Sequence, residues 1–474
     1  MKVDKVLVPG KFEVIHSGHM RLFKTGKDLG KKIIVALDID KLSTEEISWR
    51  LELLKGINQV DEIETFNSDI SNLLLKIKPN IVLKGKEFES LNNPESKYLD
   101  SFGGRLLFSS GSAYFSTNDL ATNQQLYLKE SIFENAQEFL KRNQVNKVRV
   151  KELLDAIKNV KTCVIGDLII DEIISCHPIG MSQEDPAIVM TPIDSKRFIG
   201  GAGIVAAHSE ALGSKTTFIS VLGDDSTALW AESNLNSLVS NLVIIRDANR
   251  ATNLKQRFRS GSQLLFRLNH FSDSAISKKV ENSILDYFKK NVKSFNLLIL
   301  SDFSFGVISE SLAKSLITVA KENNIFVAAD SQTSSRIGNL TKFCGSDLIT
   351  PTEVEARLEV RDENCGLVVL AETIRKILSA RNILLKLGAD GVLLHGINKS
   401  GLSERTDQVP ALNRSPIDLS GAGDSMLAAS ALALSSGEDI YFAAYIGSVM
   451  AAIQVSQLSN TPISRETVQE ILLK

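Results

Sequence analysis

Short apolar runs that alternate with helical patterns occur in two separate series along the chain. The first series extends from residues 5–8 to residues 81–83, and the second extends from residues 162–165 to residues 383–386. Parallel strands need long crossover connections, usually helices, so each alternating series predicts a parallel sheet covered by helices. A chain of 474 residues has room for two such domains. The sequence therefore predicts an α/β protein with two domains.

Composition excludes several classes of protein. Lys and Arg number 54 against 56 Asp and Glu, a formal net charge of −2, so bulk charge does not indicate nucleic-acid binding. No apolar run reaches the roughly 18 residues that a membrane span needs, and the first residues lack the pattern of a signal peptide. Four cysteines without a CxxC pair exclude a disulfide scaffold and a zinc knuckle. We expect a cytoplasmic protein that binds neither nucleic acid nor membranes.

A segment without strand patterns separates the two series. Residues 123–141 have apolar residues at helical spacing, and residues 141–151 contain five basic residues and no acidic one. The basic stretch lacks the aromatic residues of a nucleic-acid arm, so we interpret it as a solvated linker. The expected organisation is a first domain at residues 1–122, a helical linker at 123–150, and a second domain at 151–474.

A pair of histidines marks the first candidate site. His16 and His19 follow Gly10, where the first apolar run ends and a helix begins. A spacing of three residues places both imidazoles on one helix face, beside backbone N–H groups that favour anions. Such a site could bind a triphosphate and stabilise the charge that develops on its α-phosphate. A pair of structural histidines and a metal site are the alternatives.

The segment His16-Ser17-Gly18-His19 resembles the HxGH signature of a nucleotidyltransferase superfamily that includes cytidylyltransferases and heptose 1-phosphate adenylyltransferases. The resemblance covers residues 5–120. It implies a Rossmann-like domain that catalyses in-line attack on a nucleoside triphosphate with release of pyrophosphate. It also implies that His16 and His19 are catalytic, and that the nucleotide contacts a further set of residues: Gly10, Phe12, Lys84, Gly85, Ser116 and Thr117.

A glycine-rich helix start followed by an aspartate forms the second candidate site. Gly421, Ala422 and Gly423 place small residues where backbone N–H groups can cradle a transferring phosphoryl group. Asp424 follows directly and is placed to accept a proton from an incoming hydroxyl, although it could merely cap the helix. Residues 201–206 match GxGxxA but lack the strand and acidic residue of a dinucleotide fingerprint, and no GxxxxGK[ST] motif occurs.

The segment Gly421–Asp424 and the glycines at 200–203 resemble the two signatures of the ribokinase-like (PfkB) carbohydrate kinases, and the resemblance spans residues 150–474. It implies that Asp424 is the catalytic base, that Gly421, Ala422 and Gly423 form the anion hole, and that ATP and Mg²⁺ are the cofactors. Glu355 would shape the Mg²⁺–phosphate site. The resemblance also implies residues that bind the substrate (Asp167, Asp171, Gly200, Gly201) and residues that bind the nucleotide (Glu355, Lys386, Gly388, Gly391).

Residues 173–198 and 255–268 have short alternating patterns typical of a small antiparallel sheet that stands off the main body. By resemblance they correspond to the β-sheet lid of these kinases, through which similar kinases commonly form homodimers. Residues 182–189 are similar to a stretch of the heptose 7-phosphate kinases. Three basic residues resemble lid residues that bring cations to a sugar phosphate, namely Lys255, Arg257 and Arg267.

Three positions depart from the kinase pattern: Ile204 and Thr352 stand where Asn is typical, and Lys386 where Thr is typical.

Bifunctional heptose enzymes join such a kinase to an HxGH adenylyltransferase with the kinase first, whereas here the order is reversed. The resemblance implies ATP-dependent phosphorylation of a sugar or a heptose 7-phosphate-like sugar phosphate. It also implies nucleotidyl transfer from ATP or CTP to a sugar 1-phosphate, as in the formation of ADP-heptose for lipopolysaccharide. Two alternatives stay open: a kinase for another sugar fused to a polyol-phosphate cytidylyltransferase, and a catalytically weak sensor of sugar nucleotides.

Overall fold

The structure of the chain is a computed structural model that describes residues 2–12, 15, 17–40, 42–85, 93, 95–109, 123–185, 187–260, 263–272, 274–332, 338–397, 406–413, 415–457 and 460–473. The chain divides into two compact units, Met1–Gln125 and Leu126–Lys474. Each unit has its own sheet of mainly parallel strands, which confirms the predicted α/β class. Among the described residues, no helix is both long enough and apolar enough to span a bilayer.

The first unit is a parallel sheet covered by helices on both faces. Alternate residues of its first strand face opposite sides: Val6 and Val8 pack with Phe23 on one face, whereas Leu7 packs with Leu74 on the other. Burial of both faces explains why this strand is a continuous apolar run. Its described elements are β1 (Val3–Gly10), α1 (Ser17–Leu29), β2 (Gly30–Asp38), α2 (Thr44–Lys55), β3 (Glu62–Phe66), α3 (Ser71–Ile77), β4 (Ile81–Gly85), α4 (Glu95–Asp100) and β5 (Arg105–Ser109). The strand order is β3-β2-β1-β4-β5.

The second unit begins with α5 (Asn123–Arg142) and α6 (Lys147–Ile157) and continues as a larger α/β body. Its strands are β6 (Lys161–Gly166), β7 (Leu168–Met181), β8 (Ile188–Gly201), β9 (Lys215–Leu222), β10 (Asn241–Arg246), β11 (Leu254–Ser260), β12 (Gln263–His270), β13 (Leu297–Asp302), β14 (Phe326–Ser331), β15 (Leu348–Ile349), β16 (Asn382–Lys386), β17 (Val392–Gly396) and β18 (Asp407–Val409). Its further helices are α7 (Ala202–Ala211), α8 (Ser226–Leu235), α9 (Lys278–Asn291), α10 (Glu310–Glu322), α11 (Glu353–Val360), α12 (Leu367–Ile377), α13 (Ala422–Ser435), α14 (Ile440–Gln454) and α15 (Arg465–Leu472).

The main sheet of the second unit has the order β10-β9-β6-β13-β14-β15-β16-β17-β18. Its strands are parallel except at one edge, where β17 runs antiparallel to both of its neighbours. Val164 of β6 belongs to the hydrophobic core on one face of the sheet, and Cys163 and Ile165 belong to the core on the other. The carboxyl ends of the parallel strands therefore meet at one edge of a sheet that is buried on both faces.

Strands β7, β8, β11 and β12 form a separate four-stranded sheet, which we call the lid sheet, in the order β12-β11-β7-β8. The sequence predicted this sheet as antiparallel. Two of its pairings are antiparallel, but β11 runs parallel to β7, so that Lys255 lies opposite Asp171. Strands β7 and β11 are not consecutive in the chain, since β8, α7, β9, α8 and β10 lie between them, and a connection of this length permits a parallel pairing.

Helices α5 and α6 differ from the solvated linker expected here. The segment is helical, but Ile132 and Phe139 of α5 are buried with Leu153 of α6 in a core of the second unit. The Ser131 hydroxyl also donates to the Leu412 carbonyl oxygen at 2.8 Å. The apolar spacing that predicted this helix is therefore its packing face against the body of the second unit, whereas Glu134, Glu138 and Lys141 are exposed.

Candidate active sites

A cleft of about 350 Å³ opens beside the carboxyl ends of β14 and β16, the start of α13 and the lid sheet. Open α/β sheets bind ligands outside the carboxyl ends of their strands, so this is the edge where a site is expected. The cleft brings together residues that lie far apart in the sequence. Its lining consists of Ile169, Asp171, Gly201, Lys255, Arg257, Phe303, Gln332, Thr352, Glu355, Lys386, Leu419, Ser420, Gly421, Gly423, Asp424 and Asn460.

Asp424 lies in the first turn of α13, as the sequence predicted. Gly421 precedes this helix with φ of +77°, in the left-handed region that favours glycine. The Gln332 side-chain amide donates to Asp424 Oδ1 at 2.7 Å. Burial raises the pKa of Asp424 to about 7, and the nearby Asp330 carboxylate adds to this effect while Lys386 opposes it. A carboxyl group with a pKa near 7 is well suited to accept a proton at neutral pH.

Lys386 ends β16 on the opposite side of the α13 start. Its ammonium group donates to Asp330 Oδ2 at 2.9 Å, and the Asp330 side chain is almost fully buried. Burial acts to lower the pKa of Lys386, but the carboxylates of Asp330 and Glu355 outweigh it and raise that pKa above its usual value. Lys386 therefore stays charged inside the cleft.

Glu355 lies in the first turn of α11 and is held by a capping box with Thr352. Glu355 Oε2 accepts from the Thr352 backbone N–H at 2.7 Å, and Thr352 Oγ1 accepts from the Glu355 backbone N–H at 3.2 Å. Among the described residues, no group of three or more His, Cys, Asp or Glu side chains is placed to hold a metal ion. Mg²⁺ commonly uses one or two carboxylates together with substrate phosphates. Of the carboxylates that line the cleft, Glu355 therefore fits Mg²⁺ bound with a nucleotide.

The lid sheet supplies a third group of charged residues. Arg257 Nη1 lies 2.9 Å from Asp171 Oδ1, and Lys255 lines the cleft beside them. Burial raises the pKa of Asp171, whereas Arg257 and Lys255 act to lower it. Gly200 lies against the Asp171 carboxylate. Arg267 pairs with Arg257 across β11 and β12 but is exposed, and it is not part of the cleft lining in the described chain.

Asp167 corrects one sequence expectation, because it does not face the cleft. Its side chain is fully buried, and Oδ2 accepts from the backbone N–H groups of Phe303 at 2.9 Å and Phe305 at 3.3 Å. Oδ1 accepts from the Val307 N–H at 3.1 Å. Burial and the neighbouring Asp302 raise the pKa of Asp167 above its usual value, against the effect of these backbone hydrogen bonds. Asp167 therefore holds the loop after β13 and is not part of the cleft lining in the described residues.

Three other residues singled out in the sequence also lie outside the cleft lining of the described residues. Gly388 and Gly391 have φ of +61° and +90° in the turn before β17. A side chain at Gly391 would collide with the Val409 carbonyl oxygen, so the turn itself requires glycine there. Ile204 is 0% exposed within α7, so it offers no surface to the cleft.

In the first unit, the predicted nucleotide residues gather where β1 ends and α1 begins. Gly10 ends β1, and Phe12 follows with φ of +46° and is buried. The Phe12 ring lies 5.1 Å from the imidazole of His19, centroid to centroid, in the first turn of α1. The Phe23 ring lies 6.4 Å from the same imidazole and 5.6 Å from the Phe12 ring, so the three rings form one cluster. Two aromatic rings thus fix the orientation of this imidazole at the helix start.

Lys84 and Gly85 end β4, which lies next to β1 in the sheet. They therefore reach the same edge of the sheet as Gly10. The Lys84 ammonium group donates to Asn93 Oδ1 at 3.0 Å and forms an ion pair with the largely buried Glu95. The remaining predicted residues of this site lie outside the described residues, so their roles stay predictions: His16, Ser116 and Thr117.

Sequence reasoning missed Gln332 and Asn460, which line the cleft, and Asp330, which accepts from the Lys386 ammonium group. Each comes from a segment without a motif, and each is an ordinary polar residue in its local context. The one available signal is position, because Asp330 and Gln332 lie at the carboxyl end of a predicted strand, β14, as catalytic groups in α/β sheets do.

These geometries define the class of protein: an α/β chain with a charged cleft beside a β-sheet lid, preceded by a Rossmann-like unit. Residues 159–467 match the family model described as pfkB family carbohydrate kinase. This match covers more than half of the chain, which therefore belongs to the pfkB family of carbohydrate kinases. Residues 7–101 match the model described as cytidylyltransferase-like. The predicted resemblance to a kinase fused behind a nucleotidyltransferase is confirmed.

Curated relatives agree with this assignment. The chain is 28% identical over 312 residues to the bifunctional protein HldE of Campylobacter jejuni subsp. jejuni, across 65% of this chain and 64% of that protein. It is 28% identical over 321 residues to the bifunctional protein HldE of Trichlorobacter lovleyi, across 66% and 63%. The chain thus spans somewhat less than two thirds of the length of these relatives.

Solved structures share the fold of the second unit. The ribokinase of Thermotoga maritima aligns with a TM-score of 0.52 and 22% identity, over 66% of this chain and 100% of that one. The ribokinase of Arabidopsis thaliana in complex with ribose and ATP aligns with a TM-score of 0.52 and 17% identity, over 66% and 98%. At these identities the likeness shows the ribokinase-like fold.

Proposed function

We propose that the chain is a bifunctional sugar-activating enzyme. Its second unit phosphorylates a sugar or sugar phosphate with ATP, and its first unit transfers a nucleotidyl group to a sugar 1-phosphate. The observation that carries the proposal is the buried carboxyl group of Asp424, which lies at the start of α13 with a pKa near 7 inside the cleft. The name of the relatives, which describes them as bifunctional, supports the pairing of two activities.

In the proposed kinase step, the acceptor oxygen forms a bond to the γ-phosphorus of ATP while the bond to the bridging oxygen breaks. ADP leaves with the electron pair of that bond, and the acceptor proton goes to Asp424. The N–H groups at the α13 start, from Gly421 to Gly423, stabilise the charge on the transferring group. Glu355 would hold Mg²⁺, which neutralises phosphate charge when it is bound.

The lid side of the cleft supports a phosphorylated acceptor. Asp171 can accept from sugar hydroxyls, and Lys255 and Arg257 place two cations beside it. Because a neutral sugar needs no cations, we propose a sugar phosphate similar to heptose 7-phosphate as the acceptor. A panel of sugar phosphates incubated with ATP and analysed by mass spectrometry tests this proposal. The proposal fails if no sugar or sugar phosphate gains a phosphoryl group, and ATP hydrolysis stimulated by a bound sugar would distinguish an enzyme from a sensor.

In the proposed transferase step, a phosphate oxygen of the sugar 1-phosphate attacks the α-phosphorus of the nucleoside triphosphate, and pyrophosphate leaves. His19, with the predicted partner His16, would stabilise the charge on that phosphorus. The product would be a nucleotide sugar for surface glycans, such as ADP-heptose. CTP and a polyol phosphate are the second candidate pair, and the cytidylyltransferase-like match supports CTP as the nucleotide. Release of pyrophosphate from ATP and from CTP, measured separately with each acceptor, distinguishes them.

The pH dependence of the kinase step should report Asp424. Because burial raises the pKa of its carboxyl group to about 7, the base loses its function as the carboxylate is protonated below that pH. We expect kcat/KM for the acceptor to fall about tenfold for each pH unit well below pH 7. Initial rates at several pH values, with thermal melting measured alongside to detect unfolding, check this. A flat profile down to pH 5 would contradict the assignment of Asp424 as the base.

The lid sheet supports a homodimer, formed with a second copy of the chain. Large apolar side chains are exposed on its strands, which is unusual for the surface of a monomer: Ile179, Met181, Ile188, Val189, Ile193, Leu264, Phe266 and Leu268. We expect the wild type to be a dimer by light scattering and Phe266→Asp to be monomeric. Leu229→Asp, at an exposed apolar position of α8, is the control and should stay dimeric. A monomeric wild type would refute this part of the proposal.

The proposal includes the boundary between the two domains and the compartment in which the protein acts. The two units correspond to the transferase and kinase domains, with a boundary near residue 125, so that the predicted helical linker belongs to the kinase domain. The protein acts in the cytoplasm, where its nucleotide substrates are made. Its four cysteines are all free, as is usual in a reducing compartment.

A further inference from the structure

Two departures from the kinase pattern are neighbours in the structure. Thr352 and Lys386 form an isolated parallel β-bridge, and the Lys386 backbone N–H donates to the Pro351 carbonyl oxygen at 2.8 Å. The side-chain amide expected at position 352 is absent, and an ammonium group is present one strand away. Compared with the family pattern, this end of the cleft therefore lacks a neutral amide donor and has a positively charged ammonium donor.

The position of this ammonium group is tightly restrained. Asp330 accepts from it at 2.9 Å, and the Lys386 side chain is only 12% exposed. A Cβ atom at Gly423 would lie 3.3 Å from Lys386 Nζ and 3.9 Å from the Gln332 amide nitrogen. The space beside the start of α13 is thus bordered by two side-chain donors, and a larger residue at position 423 would enter it. Donors that converge on a helix start are the arrangement that binds a phosphoryl group.

We propose that Lys386 completes the anion hole of the kinase, with its ammonium group on the phosphoryl group in transfer and with Asp330 as its positioning residue. This inference rests on the proposed kinase function. Lys386 serves as a fixed cation, and Asp424 as the proton acceptor. Asp330 holds the ammonium group in place before ATP arrives, so that little reorganisation is needed during the reaction.

The structure contains a second buried pair of the same chemistry, which separates this role from simple packing. Lys342 lies 2.5 Å from Asp302 Oδ2, with side chains 10% and 0% exposed. Asp302 ends β13, the neighbour of β14, but neither partner of this pair lines the cleft in the described structure. Lys342→Met therefore breaks an equally buried ion pair without removing a cation from the site.

The test compares Lys386→Met with Lys342→Met. We expect Lys386→Met to lower kcat by about 10²–10³-fold, the usual effect of losing one donor to a transition-state anion. It should weaken binding of ATP about tenfold or more while binding of ADP changes less than threefold, because Lys386 would contact the transferred group. The control should leave both kcat and the two affinities close to wild type. Lys386→Met combined with Asp330→Asn removes both charges, and provides a folded variant if the single substitution unfolds.

Each outcome decides whether Lys386 binds the phosphoryl group in transfer or only packs in the cleft. A folded Lys386→Met protein, alone or with Asp330→Asn, that keeps kcat within threefold of wild type overturns the inference. Equal weakening of ATP and ADP also overturns it, because Lys386 would then act only on the packing of the cleft. If wild type phosphorylates no acceptor, the proposed function fails, but the comparison of ATP with ADP by calorimetry still tests Lys386.

Discussion

Asp424→Asn should lower kcat for sugar phosphorylation by about 10²–10⁴-fold, the usual contribution of a general base, and leave nucleotidyl transfer unchanged. Asparagine has the shape of aspartate, and its side-chain oxygen can still accept from Gln332, which donates to Asp424 at 2.7 Å. It cannot take the acceptor proton. ADP release with the sugar phosphate and pyrophosphate release with the nucleotide, measured on the same preparation, report the two activities separately.

Asp225 supplies the matched control for this experiment. It also lies at a helix start, where its side chain caps α8 by accepting from the Ala228 N–H at 2.8 Å, and it is not part of the cleft lining in the described residues. Asp225→Asn keeps the helix cap and loses only the acceptor for the Thr252 N–H, so phosphorylation should stay within about twofold. If Asp424→Asn behaves like Asp225→Asn, Asp424 does not accept the acceptor proton, and its assignment as the base is wrong.

The parts of the fold that the sequence predicted are those with a strong local signal. Strands β1 and β6 are continuous apolar runs because both faces of each sheet are buried. Helix α13 begins at the glycines that predicted its start. The sequence did not predict β17 and β18, which pair antiparallel at a sheet edge. Their partners are fixed by tertiary contacts, which no local periodicity reports.

The candidate site was predictable to the extent that its residues belong to glycine-rich motifs. Asp167 and Asp171 lie four residues apart and resemble the same family element, but only Asp171 lines the cleft. Asp167 turns inward because three backbone N–H groups of the loop after β13 bind its carboxylate. Gln332 reaches Asp424 across 92 residues of sequence. Such contacts depend on how strand ends are arranged in space, so the sequence pattern alone does not contain them.

His19→Asn should lower nucleotidyl transfer by about 10²–10³-fold, because it removes a donor to the charge that develops on the α-phosphate. The imidazole packs against the rings of Phe12 and Phe23 at the start of α1, so a loss of packing has to be separated from a loss of chemistry. His19→Phe makes that separation: it keeps an aromatic ring in the stack and removes both ring nitrogens.

We expect His19→Phe to melt close to the wild-type temperature and to be as inactive in pyrophosphate release as His19→Asn. Phosphorylation by the second unit should be unchanged in both variants, since its cleft has a separate set of residues, and it serves as the internal control for folding and concentration. Transfer at the wild-type rate by a stable His19→Phe protein would show that His19 only packs against Phe12 and Phe23. In that case the charge on the α-phosphate would have to be stabilised by other groups of the first unit, and Lys84, which ends the neighbouring strand β4 at the same edge of the sheet, would be the next residue to substitute.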